Sequence, residues 1–157
     1  LEGYLWDEGE PKRAFEKAIA NSNKVAMSLS DLFCVERHKL QFLELVKNKL
    51  DIVFANEQEI LSLIDGKSFE DVISFSKHFK KDIIITRGEK GAVAINFNEV
   101  FECQAKKGLN IKDLTGAGDL FAAGYLHGYI NELSKKECLE KGTELSSKVI
   151  QKIGARL

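Results

Sequence analysis

DLTGAGDLFAAG, residues 113–124, is the most informative segment of this 157-residue chain. The small residues Gly116, Ala117 and Gly118 let backbone N–H groups converge, and the helix start behind them adds unpaired N–H groups and a positive dipole end. Such a loop binds phosphate or another anion. Asp119 at the rim of the loop would repel a bound anion. That cost is explained if the Asp119 carboxylate accepts a proton from a hydroxyl that attacks beside the phosphate. Taken alone, an ordinary tight turn with Asp119 at a helix start explains the same residues.

The rest of the chain alternates helical and strand patterns. The order α, β, α, β, α, α, β, hairpin, α, α favours an α/β layered fold with a largely parallel sheet. Residues 82–86, DIIIT, are typical of a strand buried on both faces. The predicted helices cover about 11–21, 36–49, 56–64, a segment capped by Ser68, 117–130 and 135–152, and the predicted strands cover 24–29, 51–55, 82–86, 92–95 and 100–103.

Composition limits the classes of function. A formal net charge of −1 and 44% hydrophobic residues fit one soluble globular domain and argue against a dedicated nucleic-acid or membrane-surface protein. The apolar runs are too short to cross a bilayer, and the first residues do not have the pattern of a secretory leader. Cys34, Cys103 and Cys138 are odd in number and widely spaced, which disfavours disulfides and a zinc site. We therefore expect a cytoplasmic protein that binds neither nucleic acid nor membrane.

Residues 113–124 resemble the second signature of the ribokinase-like (PfkB) carbohydrate kinases, D-T-T-G-A-G-D-x-F-x-x-G, and depart from it only at Leu114. The resemblance implies a three-layer α/β/α ribokinase-like (Rossmann-like) fold. It also implies transfer of the ATP γ-phosphate to a primary hydroxyl of a sugar or nucleoside. In that interpretation Asp119 is the general base, and Gly116, Ala117 and Gly118 form the anion hole.

Two shorter motifs precede this signature in the family's order. NEQE at 56–59 is similar to the family's N-x-x-E, which implies that Asn56 and Glu59 position Mg²⁺ and the phosphates, largely through water. TRGEKG at 86–91 is similar to T-x-G-x-x-G, which implies that Thr86, Gly88 and Gly91 border the ATP. Each is weak alone, since an Asn N-cap with a helix-start Glu is the preferred explanation of the first motif by itself, and a plain β-turn is that of the second.

The end of the chain extends the resemblance. Residues 142–150 and 154–155 resemble the family's late helix and its end, which implies that Thr143 contacts the adenine. The loop that carries Asp113 and Thr115, with the turn near Gly154, would supply oxygens to a monovalent cation such as K⁺. The implied ligands are therefore ATP, Mg²⁺ and K⁺.

The start of the chain is similar to the bacterial adenosine-kinase-like branch, in LEGYLWD at 1–7 and SLSDLFCVERH at 28–38. Relatives also carry an N-terminal portion with a β-lid and a first signature that holds the acceptor. We therefore expect residues 1–157 to be the C-terminal nucleotide-binding and catalytic part of a single kinase domain, without the N-terminal part and its lid. A homodimer, or association with the missing half, would then cover an exposed sheet edge.

Two other classes of protein share part of this pattern. A non-catalytic nucleotide-binding module would share the loop and lack an acceptor site. A Rossmann dehydrogenase fits less well, because its G-x-G-x-x-G directly follows the first strand of a βαβ unit. The acceptor stays open between adenosine, other nucleosides, ribose, fructose and related sugars.

Overall fold

The computed structural model describes residues 1–7 and 10–157. The chain forms two compact units. The first unit comprises Leu1–Ile85 with Ile95–Glu99, and the second comprises Thr86–Ala94 with Val100–Leu157. Each unit is described by itself below.

The first unit alternates helices and short strands, as the sequence predicts. After a 3₁₀ helix, Gly3–Asp7, its elements are α1 (Pro11–Ala20), β1 (Ala26–Ser28), α2 (Leu32–Asn48), β2 (Ile52–Asn56), α3 (Glu57–Ile64), α4 (Phe69–Ser76) and β3 (Asp82–Thr86).

Parallel pairing organises the first unit. β1 pairs with β2 in parallel, with Met27 opposite Val53. The first four residues of both β2 and β3 are buried, as expected for strands whose two faces are covered. Ile83, Ile84 and Ile85 have no exposed surface, so they form the centre of this core. The predicted strand at 82–86 is confirmed to the residue.

Helix α2 begins earlier than the sequence predicts. The periodic apolar pattern starts at about residue 36, whereas the helix starts at Leu32. Asp31 caps it by accepting a hydrogen bond from the Phe33 N–H at 3.1 Å. A kink at His38, with φ −119°, separates this first turn from the rest of the helix. The pattern detected only the part beyond the kink.

The second unit holds the remaining helices. Its elements are a 3₁₀ turn (Gly88–Lys90), most of β4 (Ala92–Asn96) and β5 (Glu99–Cys103), then α5 (Ala117–Ile130) and α6 (Lys135–Val149). Strands β4 and β5 are neighbours in a sheet. A two-residue turn, Phe97–Asn98, joins β4 to β5. Because so short a connection can join only antiparallel strands, the predicted hairpin is confirmed.

Helices α5 and α6 pack closely. A Cβ on Gly124 of α5 would lie 2.5 Å from the Lys141 carbonyl oxygen, and one on Gly142 of α6 would lie 2.7 Å from the Phe121 carbonyl oxygen. Helix α6 ends at Val149, short of the predicted residue 152. The chain turns at Ile150, whose carbonyl accepts from the Lys112 N–H at 2.8 Å. None of the helices in the described ranges combines the length and the apolar character needed to cross a bilayer.

Candidate active site

The last position of the glycine-rich loop before α5, position 116, accommodates only glycine. Gly116 has φ +77° and ψ 3° and directly precedes α5. A Cβ built there would lie 2.7 Å from the Ala155 Cβ and 2.9 Å from the Ala155 Cα. The Ala117 N–H donates to the Leu114 carbonyl at 3.1 Å, and the Leu120 N–H makes the first helical bond, to Gly116, at 2.9 Å. These contacts restrain the conformation of the loop.

The start of α5 is open. No side chain caps this helix, and the N–H groups of Gly118 and Asp119 have no acceptor among the residues that the structure describes. A Cβ on Gly118 would meet nothing within 4 Å. Neither packing nor backbone strain therefore requires glycine at 118, although glycine costs a helix about 1 kcal/mol relative to alanine. An exposed, uncapped helix start of this kind can bind an anion.

Asp119 lies at the third residue of α5 with its side chain exposed. Its carboxylate accepts no hydrogen bond from the described part of the chain. Both oxygens are therefore available to a molecule from outside, next to the open N–H groups. This is the arrangement that a general base beside an anion hole requires.

A cleft of about 380 Å³ lies in the second unit. This volume lies within the range of small-molecule sites, about 300–1,000 Å³. The cleft brings together five residues that the sequence predicts to bind nucleotide, namely Thr86, Gly88, Gly91, Gly118 and Thr143. The open start of α5 therefore faces the same cavity as these residues.

Residues 86–91 form a tight turn at the cleft. The Arg87 N–H donates to the Gly91 carbonyl at 2.8 Å, and the Gly91 N–H donates to Gly88 at 3.0 Å. Gly91 has φ +89°, and a Cβ there would lie 2.0 Å from the Cys103 carbonyl oxygen. A Cβ on Gly88, by contrast, would meet nothing within 4 Å. The turn packs on β5 through Gly91 and leaves its Gly88 backbone accessible.

Thr143 holds a fixed position in the cleft wall. Its side chain is buried, and its Oγ1 lies 3.6 Å from the Cys103 Sγ. The Ser146 hydroxyl donates to the Thr143 carbonyl at 3.2 Å. These contacts restrain the segment of α6 that lines the cavity.

Asp113 joins the loop to the turn at Gly154. One carboxylate oxygen accepts from the Thr115 N–H at 2.9 Å, and the other accepts from the Gly154 N–H at 2.8 Å. Hydrogen bonds from the Thr115 side chain and backbone, and then from Gly154, lower the pKa of Asp113 to about 2. The structure thus brings together the three residues predicted for a monovalent cation, around a carboxylate that stays ionised.

Asn56 and Glu59 lie in the first unit and form a capping box at the start of α3. Glu59 Oε2 accepts from the Asn56 N–H at 2.9 Å, Glu59 Oε1 accepts from Asn56 Nδ2 at 2.6 Å, and Asn56 Oδ1 accepts from the Glu59 N–H at 2.8 Å. Burial raises the pKa of Glu59, helped by the charge of Asp31 and opposed by the hydrogen bonds from Asn56. The helix-cap interpretation of this motif therefore describes its local structure.

Comparison with known proteins identifies the family. Residues 11–157 match the family described as pfkB family carbohydrate kinase. The chain belongs to this family.

Solved and curated relatives agree with the family assignment. The crystal structure of adenosine kinase from Sinorhizobium meliloti superposes with a TM-score of 0.94 at 39% identity, over 99% of this chain and 49% of that one. A cytidine kinase from Thermococcus kodakarensis is 35% identical over 112 residues, 69% of this chain and 40% of that protein. Adenosine kinase 2 from Arabidopsis thaliana is 31% identical over 157 residues, 88% of this chain and 44% of that protein. The predicted α/β ribokinase-like fold is confirmed, and the chain spans less than half the length of these relatives.

The family's metal motif fits a hydrated ion better than a directly bound one. Among residues 1–7 and 10–157, no three His, Cys, Asp or Glu side chains are grouped to hold a metal ion. Each Glu59 oxygen already accepts one N–H group. A carboxylate offers about four acceptor positions, so the remaining ones can bind water around Mg²⁺.

Sequence reasoning missed the apolar part of the cleft. Leu109, Ile111, Phe121 and Ile150 line it together with Leu114. Leu109 and Ile111 belong to a loop between β5 and α5 that has no helical or alternating period, so no pattern assigned them to a wall. Phe121 is part of the family signature, which was the one available signal.

Proposed function

We propose that the chain is the C-terminal, donor-binding and catalytic part of a kinase domain that transfers the γ-phosphate of ATP to a primary hydroxyl of a nucleoside or sugar. The observation that carries the proposal is Gly118, whose unhindered backbone opens α5 at the cleft with Asp119 beside it. Relatives named adenosine kinase and cytidine kinase support a nucleoside acceptor, and the relative named 1-phosphofructokinase supports a sugar. The proposed location is the cytoplasm, where ATP is available.

The proposed reaction uses groups of this chain at each end of the transferred phosphate. The acceptor oxygen attacks the γ-phosphorus, the bond from that phosphorus to the bridging oxygen breaks, and ADP leaves. The Asp119 carboxylate accepts the hydroxyl proton. The N–H groups of Gly118 and Asp119, with the dipole of α5, stabilise negative charge on the transferred group.

The donor occupies the cleft of the second unit. Its phosphates lie at the open N–H groups of Gly118 and Asp119, since the Ala117 N–H already binds the Leu114 carbonyl. They also approach the turn of Thr86, Gly88 and Gly91, and the nucleoside contacts Thr143. Apolar walls with few polar groups are typical of cavities that bind such ligands.

Two cations fit the proposal. Asn56 and Glu59 would hold a hydrated Mg²⁺, which neutralises phosphate charge when bound. Asp113, with oxygens of Thr115 and of the turn at Gly154, would hold K⁺ beside the anion hole. Since the Asp113 pKa is about 2, its negative charge is present at any pH at which a kinase works.

A non-catalytic nucleotide-binding module is the second candidate. The observation that favours it is the cleft of the second unit, whose predicted site residues are all candidates for binding the donor. Phosphoryl transfer depends on positioning of both reactants. A protein that binds the donor without positioning an acceptor would bind ATP and transfer little. A homodimer or association with a complementary half would supply what is missing.

The deciding experiment is ADP formation from Mg-ATP against a panel of adenosine, cytidine, ribose and fructose. It should be run on this chain and on any longer product of the same gene. Turnover that depends on the acceptor, in either protein, supports the kinase. ATP binding in both proteins with no acceptor-dependent turnover in either supports the binding module.

A further inference from the structure

We propose that the groove between α1 and α2 in the first unit is the surface through which two copies of this chain pair around a twofold axis. The inference goes beyond the proposed function, because the residues that line the groove include none of those predicted to act in catalysis or to bind nucleotide or cations. The occupant that it assigns to the groove is a second copy of this chain.

The apolar floor of the groove is the first observation. The groove has a volume of about 690 Å³, and Trp6, Phe15 and Leu45 form its floor. The Trp6 ring lies edge-on to Phe15 and to Phe42, with 4.9 and 6.0 Å between ring centroids. Because these aromatic side chains are already packed together, the floor needs no rearrangement to accept a partner. Apolar surface of this kind gains free energy when an apolar group covers it.

Leu40 is the second observation. It lines the same groove, and its side chain is 79% exposed, more than any other large apolar side chain among the described residues of the first unit. One exposed leucine is common and by itself indicates nothing. Here the exposed leucine and the apolar groove belong to one surface, so a twofold axis can place the Leu40 of each copy in the groove of the other. A surface that carries both a projecting side chain and a recess is complementary to itself.

The charges along the groove are the third observation. Lys12 and Glu16 of α1 line one side, and Glu44 of α2 and Lys49, which follows α2, line the other. All four side chains are exposed, and their charges sum to zero. A strongly acidic or strongly basic partner would meet two like charges here, whereas a second copy can present the opposite sign to each side. The rim therefore favours a second copy over a partner with charges of one sign.

The first test is the mass of the chain in solution. Sedimentation-velocity ultracentrifugation measures the unaltered chain, Leu40→Glu and Ile130→Glu at about 1 μM to 1 mM, a range that includes weak and moderate affinities. We expect the unaltered chain to dimerise. Leu40→Glu should weaken the dimer about tenfold or more, because a carboxylate would have to enter the apolar groove.

Ile130→Glu is the matched control for Leu40→Glu. Ile130 is 74% exposed and ends α5, in the second unit, so its replacement should leave the dimer unchanged. Since both side chains are exposed, both variants should fold, and thermal melting followed by circular dichroism verifies this. A dimer that persists in Leu40→Glu, or an unaltered chain that stays monomeric over the whole range, would overturn the proposal.

Trp6 gives a second, independent measurement. It is the only tryptophan of the chain and lines the groove, where it is half-buried. Its fluorescence emission should therefore shift to shorter wavelength as the dimer forms, with the same midpoint in concentration as the sedimentation data. A dimer that forms without a change in Trp6 emission would place the interface on another surface and contradict the proposal.

Exchange of charges tests whether the occupant is a second copy. Glu16→Lys combined with Glu44→Lys gives a basic rim, and Lys12→Glu combined with Lys49→Glu gives an acidic one. Each double variant alone should dimerise about tenfold more weakly at low salt, because like charges then meet. An equimolar mixture of the two should recover the dimer, since opposite rims face each other. A mixture that dimerises no better than its components would overturn the pairing of this surface with itself.

Discussion

Helices α3 and α5 differ at their N-termini, because side chains bind unpaired N–H groups at the start of α3 and none do so at the start of α5. At α3, Asn56 and Glu59 satisfy these groups through a complete capping box, and α4 and α6 begin in the same way. At α5, Gly116 provides no side chain, and the N–H groups of Gly118 and Asp119 stay open. Capping is worth about 1 kcal/mol to a helix. Helix α5 therefore forgoes this stability at a position where a ligand could make those bonds instead.

The largest expected effect comes from removing the acid at the open start. Asp119→Asn should reduce turnover about 10²- to 10⁴-fold, because a general base contributes that much. ATP affinity should stay the same or rise slightly, since a negative charge near the phosphates is lost. Steady-state kinetics and ATP titration measure the two effects in whichever form of the protein shows acceptor-dependent turnover. Full activity in Asp119→Asn would contradict the assignment, and Glu140→Gln, an exposed acid on α6, is the control.

The next effect concerns the shape of the open loop. Gly116→Ala should lower the free energy of unfolding by about 2–4 kcal/mol, because a positive φ and a clash with Ala155 act together. Gly108→Ala is the matched control, since Gly108 has φ +69° and nothing within 4 Å of an added Cβ. It should cost only about 1 kcal/mol. Urea unfolding measures both, and equal losses would show that the contact with Ala155 has no role.

The third prediction tests whether the capping box of Asn56 and Glu59 also positions a metal ion. Glu59→Gln should raise the Mg²⁺ concentration for half-maximal activity about tenfold. Losses of this size are typical when a residue that holds a metal ion indirectly, here through water, is replaced. Asp71→Asn changes the same N3 position in the capping box of α4. Its Mg²⁺ titration should be unchanged, although both variants weaken a helix start. Indistinguishable titrations would reduce Asn56 and Glu59 to a structural cap.

The smallest expected effect is that of Gly118→Ala, which should raise the stability of the fold and lower the affinity for ATP. Gly118→Ala should stabilise the fold by about 0.5–1 kcal/mol, because alanine favours the helix and the added Cβ meets nothing. The same Cβ should weaken ATP binding by crowding the open backbone. Gly124→Ala on the same helix should instead destabilise, since its Cβ would lie 2.5 Å from the Lys141 carbonyl oxygen. A Gly118→Ala protein with unchanged ATP affinity would indicate that no ligand approaches there.

Features encoded by neighbouring residues were predicted well from the sequence. Ser68 correctly marked the start of α4, and the run 82–86 marked β3, because a cap or an apolar strand depends on a few adjacent side chains. The family motifs also led to five residues that line one cleft. Both kinds of signal are local in the chain.

Features that depend on distant contacts were missed or misplaced. Helix α6 ends at Val149 because Ile150 turns to bind residues 112 and 113, a contact that no short pattern contains. Leu109 and Ile111 lie in a loop without a period, so their place in the cleft wall follows from tertiary structure alone. The sequence did not distinguish a helix cap from a metal site at Asn56 and Glu59, because both interpretations use the same side-chain oxygens.

The Asp113 carboxylate has a consequence for the order of folding. It accepts a hydrogen bond from the N–H of Gly154, 41 residues away along the chain, and Gly116 packs on Ala155 across a similar separation. A contact between residues so distant in sequence forms late, because the entropy of closing a long loop must be overcome first. During synthesis, the glycine-rich loop can reach its final shape only after residues 154 and 155 have left the ribosome. A polypeptide released before that point would carry the whole glycine-rich motif and still lack the contacts with residues 154 and 155 that fix the conformation of the loop.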